Sequence, residues 1–258
     1  YDELGRVYLR SGDYLKTIEN LNRSLHLKER IGDFAGLNPT LLILGDLYFR
    51  LGRHEQSLLY FGREVENSQK LGDTRGLVQG LGQLGRVHLE LGDVTRAEGA
   101  SKQVSILATE FKLRSQEADG AILEGNLAAL RRDWAASEKS LKFTAEVHGK
   151  LGHRRREISA YLDLADGKLA RELYDESLKF ASKGQIIADA LKALDLQVRA
   201  LTIKGNLHRF LKGGNIEKAR EFLYKALELS QGLSDVSVLF QLFYSLAKVC
   251  HSEREFGE

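Results

Sequence analysis

Gly80-Leu81-Gly82-Gln83-Leu84-Gly85 has the GxGxxG spacing with which backbone amides cradle a pyrophosphate. That chemistry needs a strand before the glycines and a helix opening at them. No strand pattern precedes this run, so it is expected inside a helix and no nucleotide cofactor is expected. The seven histidines form no HExxH pair and have no CxxC partner, so no metal site is expected. There is no GxSxG elbow, and Cys250 has only the adjacent His251 as a base. Cys250 shares a periodic position with Tyr8, Tyr48, His88 and His208, which makes a buried thiol and packing histidines the expectation. His153-Arg154-Arg155-Arg156 reads as a solvated helix edge. Trp134 shares its position with Tyr14, His54, Val94, Tyr174 and Ile216 and is expected to pack. No catalytic constellation results, and the chain is read as a non-enzyme.

Binding chemistry is a different matter. Arg6, Asp46, Arg86, Asn126, Asp166 and Asn206 recur at steps of 40, and Lys248 continues the row after a shift of two. All are polar among apolar neighbours. Beside them run Leu9, Phe49, Leu89, Ala129, Leu169 and Arg209, then Arg10, Arg50, Glu90, Leu130, Ala170 and Phe210. Fixed donors next to apolar positions are what an extended peptide needs for register and anchoring. The candidate partner-binding residues are therefore Arg6, Asp46, Phe49, Arg50, Arg86, Asn126, Asp166, Asn206, Arg209 and Phe210.

The elements that hold this row come from the same period. Gly5, Gly45, Gly85, Gly125, Ala165, Gly205 and Ala247 form one small column, and Thr17, Ser57, Ala97, Ser137, Ser177 and Ala219 another. Small side chains there let two helices cross closely. Apolar columns keep phase: Ile31, Leu71, Phe111, Leu151, Leu191; Leu41, Leu81, Ala121, Tyr161, Leu201; and Val7, Leu47, Val87, Leu127, broken at Gly167, then Leu207. Gly213-Gly214 shift the phase by two. Within a unit, Leu41, Leu44, Leu47, Tyr48 and Leu51 mark one helical face, and Leu58, Phe61, Val65 and Leu71 a second. Turn glycines recur at Gly12, Gly52 and Gly92, and helix-ending glycines at Gly32, Gly72 and Gly152. Asn38-Pro39 fits an N-cap followed by proline at the first helical position. Units four and five depart from the pattern: Arg132 and Glu172 replace the turn glycine, and Glu124 and Lys168 fall in mostly apolar or aromatic columns.

The totals agree. The chain has 258 residues, is 43% hydrophobic and carries 38 basic against 36 acidic residues, a balance that disfavours nucleic acid held mainly by phosphate contacts. One cysteine excludes an internal disulfide and suits a reducing, cytoplasmic setting. No apolar run approaches the ~20 residues of a membrane helix. With no methionine, the sequence reads as a piece of a longer protein.

Leu44-Gly45-Asp46-Leu47-Tyr48, then Leu51-Gly52, Ser57 and Phe61, resembles the tetratricopeptide-repeat pattern, as does Leu84-Gly85-Arg86-Val87-His88 with Leu91-Gly92-Asp93 and Ala97. The 40-residue period resembles the longer variant of kinesin light chains, spindle-orientation G-protein adaptors and sensor arms of bacterial signalling ATPases. The resemblance implies an all-α, right-handed superhelical solenoid of antiparallel helix pairs whose first helices line the concave face. The expected units are 1–33, 34–73, 74–113, 114–153, 154–193 and 194–235, with a seventh beginning at 236–258. It also implies an adaptor that binds a protein or peptide, with acidic residues expected from Arg6, Arg50, Arg86 and Arg209. Self-association through end repeats is a further expectation. The alternative is a regulatory arm of a signalling ATPase or kinase, binding an effector or its own catalytic domain.

Overall fold

The computed structural model describes residues 1–11, 13–210, 215–233 and 235–255. The turn glycine Gly12 and the pair Gly213-Gly214 lie outside them. Among the described residues there are thirteen α-helices and no strand. The chain divides into two compact units, Tyr1–Leu127 and Ala128–Glu258.

The first unit contains α1 (Asp2–Ser11), α2 (Tyr14–Ile31), α3 (Phe34–Arg50), α4 (His54–Leu71), α5 (Thr74–Glu90), α6 (Val94–Glu110) and most of α7 (Arg114–Leu130). Sequential helices pack together from α1 to α6, and α3 also touches α5. The core is a chain of small clusters: Leu21 meets Leu44 and Tyr48, Leu25 meets Leu37 and Leu41, and Ala97 meets Leu123 and Leu127. Tyr60 stacks on Tyr48 at 5.4 Å. The small columns sit where helices cross closely. A Cβ on Gly45 would sit 2.5 Å from the Phe61 ring, and Ser57 Oγ donates to the Gly45 carbonyl at 2.9 Å. Phe61 is fully buried against that crossing, a burial that contributes roughly 2–3 kcal/mol.

The second unit contains α8 (Trp134–Lys150), α9 (Arg154–Leu169), α10 (Tyr174–Leu191), α11 (Leu194–Phe210), α12 (Ile216–Leu229) and α13 (Val236–Glu255). Two apolar clusters fill it. One joins Ile158, Leu162, Ala165, Ala181, Ile203 and Leu207; the other joins Leu201, Leu223, Leu242 and Val249. The crossing repeats here: Ser177 Oγ donates to the Ala165 carbonyl at 2.7 Å.

The helix ends follow from local chemistry. Asp13, Asp33, Asp73, Asp93 and Asp133 each accept a backbone N–H three residues on. Gly32, Gly72 and Gly152 adopt positive φ. The departures in units four and five keep the same geometry. Arg132 and Glu172 take φ of 60° and 59°, beside 69° and 74° at Gly52 and Gly92. Backbone shape at the turn therefore overrides residue preference.

Two expectations change. Asn38-Pro39 is not a helix start: α3 begins at Phe34 under the Asp33 cap, with Pro39 inside the helix. Pro39 lies beyond the first turn of α3, where it removes one backbone bond, and Asn38 is buried, donating to Ser68 Oγ at 2.8 Å. Cys250 is exposed, not buried, because no described helix covers that side of α13. The column of Ile31, Leu71, Phe111, Leu151 and Leu191 is in phase yet exposed in every unit, since these residues end their helices at the edge. The GxGxxG run lies within α5 and Gly80 backs onto the Glu64 carboxyl, so no loop faces a ligand there. His88 is half-buried, and His208 stacks on Phe222 at 5.1 Å.

Candidate partner-binding surface

Helical spacing brings Asp46, Phe49 and Arg50 onto one face of α3. Arg50 Nε donates to Asp46 Oδ2 at 2.8 Å, and Arg86 Nη2 on α5 donates to Asp46 Oδ1 at 3.1 Å. The Arg86 guanidinium lies 4.0 Å from the Phe49 ring centroid, and Phe49 meets His54 edge-on at 5.6 Å. Burial opposes ionisation of Asp46, but the Arg86 and Arg50 charges outweigh it and hold its carboxyl below the usual range. Two guanidiniums, those of Arg50 and Arg86, therefore converge on the one Asp46 carboxylate. Arg86 Nε has no hydrogen-bond partner, and neither does Arg6 Nε on α1, which is 3.9 Å from Glu3. Asn126 on α7 is half-buried, and its amide bonds to no described residue.

In the second unit the balance is reversed. Arg199 Nη2 on α11 donates to Asp163 Oδ1 at 2.6 Å and to Asp166 Oδ2 at 2.7 Å, both on α9. Here two carboxylates share one guanidinium. Desolvation pushes the Asp166 carboxyl up, against the opposing pull of Arg199 and with help from the Asp163 charge. Asn206 is half-buried. Phe210 is half-exposed, stacked on Tyr174 at 5.8 Å, with the Arg209 guanidinium 5.3 Å from its ring.

The structure thus brings Asp46, Phe49, Arg50 and Arg86 into one cluster, and Arg209 and Phe210 into contact. It adds Asp163 and Arg199, which the row did not contain. Asp46 and Arg86 are opposite charges in one column, a pairing legible at 40 residues; Asp163 and Arg199 are 36 apart and share no column. The His153–Arg156 run is a surface edge, with Arg154 on Glu157 and Arg155 on Asp195. Among the described residues no group of three or more metal-ligating side chains occurs, and no helix is long and apolar enough to cross a membrane.

Stacked antiparallel helix pairs crossing at small residues, with a polar row on the first helices, define a helical-repeat protein. No family model matches the chain, and no curated protein matches it in sequence. Solved structures do. The apo form of RapI matches at TM-score 0.69 with 12% identity, covering 100% of this chain and 97% of that one. A Rap protein complexed with competence and sporulation factor matches at 0.70 with 13% identity, covering 96% and 74%. A signal-transduction ATPase from Pyrococcus horikoshii with a tetratricopeptide-repeat sensor matches at 0.60 with 15% identity, covering 98% of this chain and 41% of that one. The chain has the tetratricopeptide-repeat fold.

Proposed function

We propose that the chain is a non-catalytic interaction module that binds a polypeptide segment along the polar row of its first helices. The observation that carries this reading is the cluster of Asp46, Phe49, Arg50 and Arg86. It is partly exposed, and two guanidiniums converge there on one carboxylate beside an aromatic ring. A part-exposed guanidinium over an aromatic ring is suited to a carboxylate on a guest. Asn126 extends the same surface with free amide capacity. The Rap protein crystallised with competence and sporulation factor supports the reading at the level of fold. The acidic preference belongs to Arg6, Arg50 and Arg86; the Asp163–Asp166–Arg199 cluster favours a basic group.

The test is selection of binders from a random peptide display library. Selected peptides should be enriched in Asp and Glu. Their binding should fall at least tenfold in Asn126→Arg and in Arg86→Glu/Asn126→Ala, with the helical circular dichroism unchanged. Unaltered binding would refute the row. A secondary expectation is weak self-association through the exposed Phe240, Phe243 and Tyr244 of α13. Sedimentation over a hundredfold concentration range checks it, with Phe240→Glu as the control.

A further inference from the structure

One helix crossing in the first unit is built around an acid. Glu64 of α4 is fully buried there, and a Cβ on Gly80 of α5 would strike its Oε2. Both positions recur at steps of 40, with the shift of two at the end. The column of Glu64 holds Ser24, Val104, Thr144, Gly184 and Ala226; that of Gly80 holds Thr40, Gly120, Ala160, Ala200 and Leu242. All are buried, and none of these others carries a charge. At the α6–α7 crossing Val104 takes the place of Glu64, and a Cβ on Gly120 would strike it. Hydrocarbon therefore fills the same place there.

The hydrogen bonds around Glu64 run one way and end on it. Asn67 Nδ2 donates to Asn38 Oδ1 at 2.6 Å, Asn38 Nδ2 to Ser68 Oγ at 2.8 Å, and Ser68 Oγ to Glu64 Oε1 at 3.2 Å. Oε2 has no partner. Helix α3 faces this network with Asn38, and α5 with Gly76 and Gly80. The charge that acts on Glu64 is that of Asp73, in the turn between α4 and α5, and it has the same sign. Asp2 of α1 shows the contrast. Burial opposes its ionisation too, but donors from Lys28, Ser24 and Thr40 hold its carboxyl below the usual range. Glu64 lacks such donors, and a buried charge without a partner is costly. Burial pushes its pKa up to about 8. Helix α5 has little intrinsic preference to oppose a movement. It contains Gly76, Gly80, Gly82 and Gly85, and each costs about 0.8–1 kcal/mol relative to alanine.

We propose that the α4–α5 crossing is a proton-gated hinge. It stays closed while the Glu64 carboxyl is neutral, and ionisation opens this crossing locally so that water reaches the charge. Opening swings α5 away from α4 and loosens the hold of Arg86 on Asp46 of α3. The open crossing releases the proton near pH 4.5 and the closed one only near 8, so opening becomes easier across that interval.

Native-state hydrogen exchange tests this, with Glu64→Gln and Glu64→Val as references. The valine variant copies the Val104–Gly120 crossing. At each pH the exchange rate of the parent is divided by that of the variant, which cancels the base catalysis of exchange. Between pH 5 and pH 8.5 the ratio should climb at least about tenfold for amides in 61–71 and 76–86. It should stay level in α2. Should one variant fold poorly, the other supplies the ratio. A level ratio over 61–86 overturns the hinge. An equal climb in every helix of the unit also overturns it, because Glu64 would then act only on global unfolding.

Discussion

Glu64 on α4 has no exposed surface, accepts one hydrogen bond from Ser68 Oγ at 3.2 Å, and holds its second oxygen unpartnered against Gly80 of α5. Burial, with a smaller push from Asp73 and against the Ser68 bond, raises its pKa to about 8 from the usual 4.5. The unfolded chain releases this proton near pH 4.5, while the folded chain keeps it up to about 8. Stability from this group is therefore complete below pH 4.5, declines across the interval, and is lost once pH passes the folded value. Glu64→Gln keeps the shape without the charge. It should be more stable than the parent at pH 8.5 by on the order of 2–4 kcal/mol, with little difference at pH 4.5. Urea unfolding at the two pH values reads this; parallel pH profiles for the two proteins would refute it. The sequence shows Glu64 only as an acid on a helix. Its burial depends on where α5 lies.

At the scale of the helices, backbone geometry and close crossings decide what each position tolerates. Lys112, Arg132, Glu172 and Lys192 all adopt left-handed φ between 53° and 60°. An L-residue there costs about 1 kcal/mol more than glycine. Arg132→Gly or Lys192→Gly should therefore stabilise the fold by about 1 kcal/mol, raising the denaturation midpoint. At the crossings the sign is opposite. Gly45→Val forces a branched side chain into the Phe61 ring and should cost at least about 2 kcal/mol. Gly62 sits in a helix with open space beyond it, so Gly62→Ala should gain about 0.5–1 kcal/mol. Thermal melts should rank Gly62→Ala above the parent and Gly45→Val below it. The residue type is the same at 45 and 62, and only the neighbouring helix separates their effects.

Within each of the two units, stability is distributed along the chain because helices pack on near neighbours in sequence. Leu4 and Val7 of α1 are 50% and 56% exposed, whereas their equivalents Leu44 and Leu47 are buried. The amides of α1 should exchange with solvent faster than those of α3 or α5 in native-state hydrogen exchange. Uniform protection across these three helices would contradict this. Removing 1–33 should lower the melting temperature, since it uncovers Leu44, now packed on Leu21.

The 40-residue period, the small crossing columns and the helix-ending glycines were legible because each is a local preference repeated many times, and repetition reveals what one instance leaves ambiguous. The row on the first helices was legible for the same reason, including Asp46 and Arg86 as opposite charges in one column. Tertiary structure alone decided that Asp163 and Arg199 pair out of register, that Cys250 is exposed, and that Glu64 is buried with one oxygen unpartnered. These depend on distances between side chains on different helices. A spacing rule carries the period of such contacts but not whether the space between them is filled.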